Sequence, residues 1–465
     1  MAVEKSPFFR PSSADRMVVI RQRTPKGTQH EITQEASPEH KATLLGTCSY
    51  LVNAIVGSGI VGIPFAISQC GFTAGIFLTI FVALVTEKSL RVLVFTAKHI
   101  HVPTYETLSE ACFGKLGFNF VAVNMFITSF GAMISYLMVV KDCFGTLILQ
   151  GTNDTPLMRR TLLLIISLCV MLPVACKRDM ADLAQTSRLN VLLDSTLGTI
   201  IAMNSPIRQQ AERIESHPEL SRNMWIHFDT VFVGLGVLSF AFVCQHSAFL
   251  IAGSLKSPTV KRWSTVTNGA LWFCVTLALL CGIFGYLGYR DATVGNILDN
   301  LDANSVSANI ARGMLGTTML FVYPLESFVS RHVCVVLLFS GRAAHEGDDA
   351  HILSRRDRRV ILTTALYVMA VIPAALATDL GPVLALTGAV GGSCLAYLGP
   401  GAVFLGVHGE RFLNLVRRAW FGNHHRQTNS IGEARLTEPS DKSETTPLVA
   451  GKEQSNTEQP TLIEV

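Results

Sequence analysis

Charge is what this sequence has least of. Asp, Glu, Lys and Arg make up 15% of its 465 residues, and hydrophobic residues 49%. A soluble chain carries about 25% charge, so the shortfall argues against an ordinary soluble domain. The net charge of +4 is small for this length and gives no basic footprint for nucleic acid. Cysteines are present, eleven of them, but C-x-x-C and Cys/His ligand spacings are missing. Cys48, Cys143, Cys169, Cys244, Cys274, Cys281 and Cys394 fall singly in apolar runs, as small buried hydrophobes do, so neither a zinc site nor a disulfide framework is expected. No nucleophile–base set stands out, and no enzymatic reaction or cofactor is expected. Residues 1–41 lack an apolar signal-peptide core and hold Lys5, Arg10, Arg16, Arg21, Arg23, Lys26 and Lys41. The first apolar segment is therefore expected to serve as its own insertion signal.

Long uncharged runs are what the sequence has in abundance. A membrane-spanning helix needs about 20 mostly apolar residues, yet no charge occurs between Lys41 and Glu87. That is enough for two helices turning near Cys70-Gly71. Ten spans are predicted: 43–69, 72–97, 118–149, 158–176, 189–206, 228–252, 263–289, 309–338, 359–378 and 381–407. The fifth is short and carries Asp194. With a cytosolic amino terminus, the basic connectors, including "SRRDRR" at 354–359, fall inside, as the positive-inside rule requires. Both termini are then cytosolic. Four regions follow: a disordered tail over 1–42, a ten-helix domain over 43–407, an amphipathic interfacial helix over 408–423 and a disordered tail over 424–465. In the third, Phe412, Leu415, Val416, Ala419 and Trp420 recur at helical spacing, with Arg411, Arg417 and Arg418 between them. Asn153-Asp154-Thr155 is an N-x-[ST] sequon in an outward loop.

The stretch "NAIVGSGIVGIPFA" (53–66) contains a literal G-x-G-x-x-G. A dinucleotide fingerprint needs a strand, a helix and an acid some twenty residues on. Here the first acid is Glu87, beyond a second span, so that reading fails. Two readings remain. Gly57, Ser58, Gly59 and Gly62 can be small residues where helices cross closely, or the helix can break there. A glycine costs a helix interior about 1 kcal/mol relative to alanine, and Pro64 suits the first turn of a restarted helix. Backbone left unpaired at that depth must line a polar cavity, where a carboxylate can meet freed N–H groups and an ammonium freed carbonyls. If ten spans are two repeats of five, a second break belongs in the sixth, "VFVGLGVLSFAFVCQHSAFLIAG", which places Ser239, Cys244, Gln245 and His246 mid-membrane.

These stretches carry a resemblance. "NAIVGSGIVGIPFAISQCGF", "GVLSFAFVCQHSAFLIAGSLKSPTVKRWS" and "FVYPLESFVSR" resemble solute carrier family 38, the sodium-coupled neutral amino acid transporters, and its branch numbered eleven in particular. They are also similar to the vacuolar amino acid transporters of the amino acid/auxin permease group, within the amino acid-polyamine-organocation superfamily. The resemblance covers about 43–407. It implies an all-α, multi-pass, LeuT-like fold of two five-helix inverted repeats with discontinuous first and sixth helices. It implies a monomeric secondary active symporter working by alternating access in the plasma membrane or the vacuolar/lysosomal membrane. An amino acid would be held by Gly57, Ser58, Gly59 and Ile60 on one side and by Phe240, Phe242, Val243 and Cys244 on the other. The family's cation site carries over to Asn53 and the Val56 carbonyl. In span eight Val322 stands where the family often has a hydroxyl, with Thr317 and Thr318 one turn earlier as substitutes, so the coupling ion is left as sodium or a proton. The family's eleventh span has no counterpart before the polar tail. The long tails leave a second reading open, that of a membrane amino acid sensor.

Ionisable groups inside spans are functional candidates. Glu87 and Arg91, four apart, predict an ion pair on one helix face. Lys141 and Asp142 form either a packed pair or a gate facing water. Asp194, mid-span without an adjacent base, marks either a proton site or a distorted helix. Glu326, after Pro324, is a candidate for the inner gate. His246 is a candidate proton carrier, or a histidine bonded to backbone.

Overall fold

The computed structural model describes residues 20–21, 31–32, 42–150, 155–176, 187–216, 224–338 and 356–409. Most of both tails, the Asn153 sequon and nearly all of the 408–423 stretch lie outside them. Within the amino-terminal tail, Ile20–Arg21 and Glu31–Ile32 pair as short antiparallel strands. The compact unit is Met1–Gly406, with a second unit over Val407–Val465.

Helices stand at all ten expected places. They are α1 (Leu44–Ile55) with α2 (Gly59–Cys70), α3 (Phe72–Ile100), α4 (Tyr105–Leu149), α5 (Pro156–Ala175), α6 (Ser187–Asn204), α8 (Val231–Phe242) with α9 (Gln245–Ser254), α10 (Val260–Tyr289), α12 (Val306–Leu338), α13 (Arg356–Leu376) and α14 (Leu380–Gly409). Between them lie α7 (Ile207–Ser216) and α11 (Ile297–Asn300). Among the described residues seven helices are long and apolar enough to cross a membrane, and eight if α1 and α2 count as one bent span. Helix α3, with Glu87, Lys88 and Arg91, and the short, polar α6 fall outside that set.

Local chemistry sets the ends. Thr43, Thr104, Thr155 and Thr259 each turn a hydroxyl onto an early N–H of the helix that follows, the ordinary N-cap. Pro156 opens α5, where a missing N–H costs nothing. The third helix starts earlier than the expected 118 because a Thr104–Thr107 capping box nucleates it before Tyr105. It then kinks at Gly114 (φ 64°, ψ −155°), a conformation open to glycine alone. The connector after the fifth expected span contains α7, where Arg208 and Glu212 pair one turn apart.

The bundle is apolar on its outside. Phe77, Phe232, Leu250, Trp272, Ile361 and Leu386 are all more than half exposed, which water would oppose and lipid tails accept. Inside, glycines bring backbones together. A Cβ on Gly59 would lie 2.6 Å from Ala241 Cα, and one on Gly234 would lie 2.6 Å from the Ala66 carbonyl oxygen. The first and sixth spans therefore cross at small residues.

The two halves mirror one another. In the third span Lys141 Nζ donates to the carbonyls of Ala374 (3.0 Å) and Ala377 (2.6 Å), at the end of α13. In the eighth, Arg331 Nη1 donates to the Ala175 carbonyl (3.0 Å), at the end of α5. Arg160 of the fourth span reaches the Ala375 carbonyl (3.0 Å), and Arg359 of the ninth the Cys176 carbonyl (3.1 Å). Helix C-termini leave carbonyls unpaired, and cations suit them. Spans three and four thus cap span nine, and spans eight and nine cap span four. Five spans per half is an odd number, so the second half runs opposite to the first.

Candidate functional site

Helix α1 stops where Val56 turns extended (φ −82°, ψ 91°), and α2 restarts at Gly59 with a 55° bend. Gly57 N–H falls back on the Ile55 carbonyl (3.1 Å), and Ile60 N–H on that of Gly57 (3.3 Å). Among the described residues, neither the Ser58 nor the Gly59 N–H meets a backbone acceptor. The Ser58 hydroxyl is fastened to that of Ser135 in α4 (2.7 Å). Both readings of the glycine stretch describe part of it: Gly57 and Ser58 form the break, while Gly59 and Gly62 pack against the sixth and tenth spans.

The sixth span breaks at Val243 (φ −73°, ψ 121°) and Cys244 (φ −144°, ψ 9°). Gln245 folds back so that its Oε1 accepts the Cys244 N–H (3.0 Å), and its Nε2 donates to Ser89 Oγ of α3 (3.1 Å). A fully buried glutamine thus fills the place of a missing turn.

Both breaks face one cleft, whose empty space of ≈ 310 Å³ is partly open to solvent. Gly57, Ser58, Gly59, Phe240, Val243, His246 and Glu326 are on its wall. Ile60, Phe242 and Cys244, expected there from the resemblance, are buried but not on the wall. The third span adds Thr128, Ala132 and Tyr136. Their four-residue spacing is one helix face, visible in the sequence but not singled out there. His246 Nε2 lies 3.3 Å from Glu326 Oε1 across the cleft's edge, joining two residues 80 apart in sequence. His246 Nδ1 and Glu326 Oε2 are buried without a protein partner.

The side chains of two of the expected cation ligands have partners of their own. Asn53 Oδ1 accepts from Asn190 Nδ2 of α6 (2.8 Å). The Thr318 hydroxyl is bonded to the Met314 carbonyl (3.0 Å), and Thr317 is exposed on the outer face of α12. Adjacent helical residues point about 100° apart, so Thr317 and Thr318 cannot both face inward. Val56 is buried at the end of α1. The paired residues elsewhere are structural: Glu87 binds Arg91 and accepts from the Thr267 hydroxyl (3.4 Å), and Lys141 caps α13 rather than facing water. Asp194 sits in a continuous helix, so the distorted-span alternative falls.

A family model described as "Transmembrane amino acid transporter protein" matches residues 40–419. This chain belongs to that family. It is a multi-pass membrane transporter, not an enzyme. "Putative sodium-coupled neutral amino acid transporter 11" of Bos taurus is 31% identical, over 76% of this chain and 74% of its own. "Vacuolar amino acid transporter 2" of Saccharomyces cerevisiae is 26% identical over 75% and 73%. A solved structure of a Na+-coupled sialic acid symporter is 12% identical, covering 78% and 85%, with a TM-score of 0.42.

Proposed function

We propose that this transporter moves a small neutral amino acid by alternating access, coupled to a cation, sodium or a proton. The observation that carries the reading is the paired break. N–H groups freed at Ser58 and Gly59 suit a carboxylate at the start of α2, and Phe240, Val243 and Glu326 on the opposite wall suit the ammonium. Glu326 Oε2, with no protein partner, is an acceptor waiting for a donor. Relatives named as sodium-coupled and as vacuolar support cation coupling and an internal membrane respectively, and the basic connectors put both tails in the cytosol. The cycle needs no covalent step. One charge moved through 100 mV supplies about 2.3 kcal/mol, roughly a fifty-fold gradient.

The test is uptake of radiolabelled amino acids into proteoliposomes under sodium and pH gradients applied separately. Saturable accumulation under one of them is expected. No saturable uptake of any amino acid, or accumulation that needs neither gradient, refutes the reading. The sensor alternative rests on the tails, which lie outside the described residues.

A further inference from the structure

Asp194 is not on the wall of the cleft, and the assembly described so far makes no use of it. It lies midway along α6, 2% exposed, and its Oδ2 has no hydrogen-bond partner. Helix α6 packs against α1, α10 and α12. Helix α1 carries no charged residue. On α10, Cys274 and Cys281 lie within electrostatic reach of Asp194, and Lys261 and Arg262 stand at the helix's amino-terminal end. The charged groups of α12 are engaged elsewhere: Arg312 with the Leu298 and Leu301 carbonyls, Glu326 with His246, and Arg331 with Ala175 and Thr363. From α4, Tyr136 lies within electrostatic reach of both Asp194 and Glu326.

An ionised carboxylate in such surroundings has neither a countercharge nor a donor for Oδ2, which costs several kcal/mol. Two contacts tie its cover to the break. Asn190, one turn earlier on the same face, holds Asn53, three residues before Val56. Tyr136, on the cleft wall and within electrostatic reach of Asp194, lies so close to Gly57 that a Cβ there would sit 2.9 Å from its hydroxyl. We propose that Asp194 is a proton-binding site of the transport cycle: neutral while the first span covers it, and deprotonated to water when that span moves aside. The step breaks one O–H bond, leaves the electron pair on the carboxylate and passes the proton to solvent. It rests on the transport reading and chooses the proton as a coupled ion.

Wild type, Asp194→Asn and Asp194→Glu are reconstituted, and counterflow exchange of the amino acid is measured first. Accumulation under a one-unit pH gradient, normalised to each variant's own counterflow, is measured next. One-proton coupling allows up to about tenfold accumulation. Wild type and Asp194→Glu are expected to accumulate, and Asp194→Asn to equilibrate at about onefold. Accumulation by Asp194→Asn equal to wild type, or none by wild type despite counterflow, overturns the proposal. Absence of counterflow with every amino acid overturns the transport reading instead. If Asp194→Asn does not assemble, wild type is treated with dicyclohexylcarbodiimide, which attacks protonated carboxyls in apolar surroundings. An adduct at Asp194 is the expected result, and an unmodified Asp194 beside a modified Glu326 overturns the proposal.

Discussion

Lys141 and Arg331 do the same work in the two halves of the molecule. Each is a buried cation in the third span of its half, and each donates to the carbonyls that end the fourth span of the other half. The exchange ties the two repeats where neither could cap itself.

Removing either cation should therefore destabilise the bundle. Lys141→Met strands the Ala374 and Ala377 carbonyls, and Arg331→Met the Ala175 carbonyl and the Thr363 hydroxyl oxygen. Each loss is expected to cost about 1–3 kcal/mol, read as a lowered Tm of the purified protein in detergent. Unchanged Tm values for both would refute the shared role.

Gly57 and Gly59 should respond differently to alanine. A Cβ on Gly59 meets Ala241 backbone at 2.6 Å, which cannot yield, whereas one on Gly57 meets the end of the Tyr136 side chain at 2.9 Å, which can. Gly59→Ala is expected to separate the first and sixth spans and cost about 1–3 kcal/mol of stability. Gly57→Ala is expected to keep stability and weaken amino acid binding by displacing Tyr136 from the cleft. Thermal unfolding with equilibrium binding of labelled substrate separates the two.

The Ser58–Ser135 hydrogen bond holds the first break to α4. A double-mutant cycle of Ser58→Ala and Ser135→Ala should give a coupling of about 0.5–1.5 kcal/mol in unfolding free energy. Additive single effects would show that the contact does not hold the break.

His246 and Glu326 should act as one unit in uptake. Their side chains meet at 3.3 Å on the cleft, so His246→Gln and Glu326→Gln are expected to lower initial uptake to a similar extent. The double variant should fall no further, as for residues that share one interaction. Multiplicative losses in the initial rates would separate their roles.

Most helices were legible because their spans are runs of apolar residues, and both breaks because breakers crowd at Gly57–Pro64 and polar side chains at Cys244–His246. What stayed hidden depends on distance along the chain. Nothing near His246 announces Glu326, and nothing near Asn53 announces Asn190, since these pairs form only after the halves interleave. The early start of α4 was hidden for another reason. Residues 105–117 hold Glu106, Glu110 and Lys115, so hydropathy reads them as a connector although Thr104 caps a helix there. Thr317 shows the opposite error, a hydroxyl chosen by proximity in sequence that the helical turn points outward.

The four cations that cross between repeats limit what can slide. Lys141, Arg160, Arg331 and Arg359 each hold a backbone end belonging to another span, and pulling these helices apart would abandon the buried Lys141 ammonium and Arg331 guanidinium without their partners. Spans three, four, eight and nine are thus riveted into a stator. The rotor is left to the spans that carry the two fractures, held to the stator by the Ser58–Ser135 hydroxyl pair and the His246–Glu326 contact.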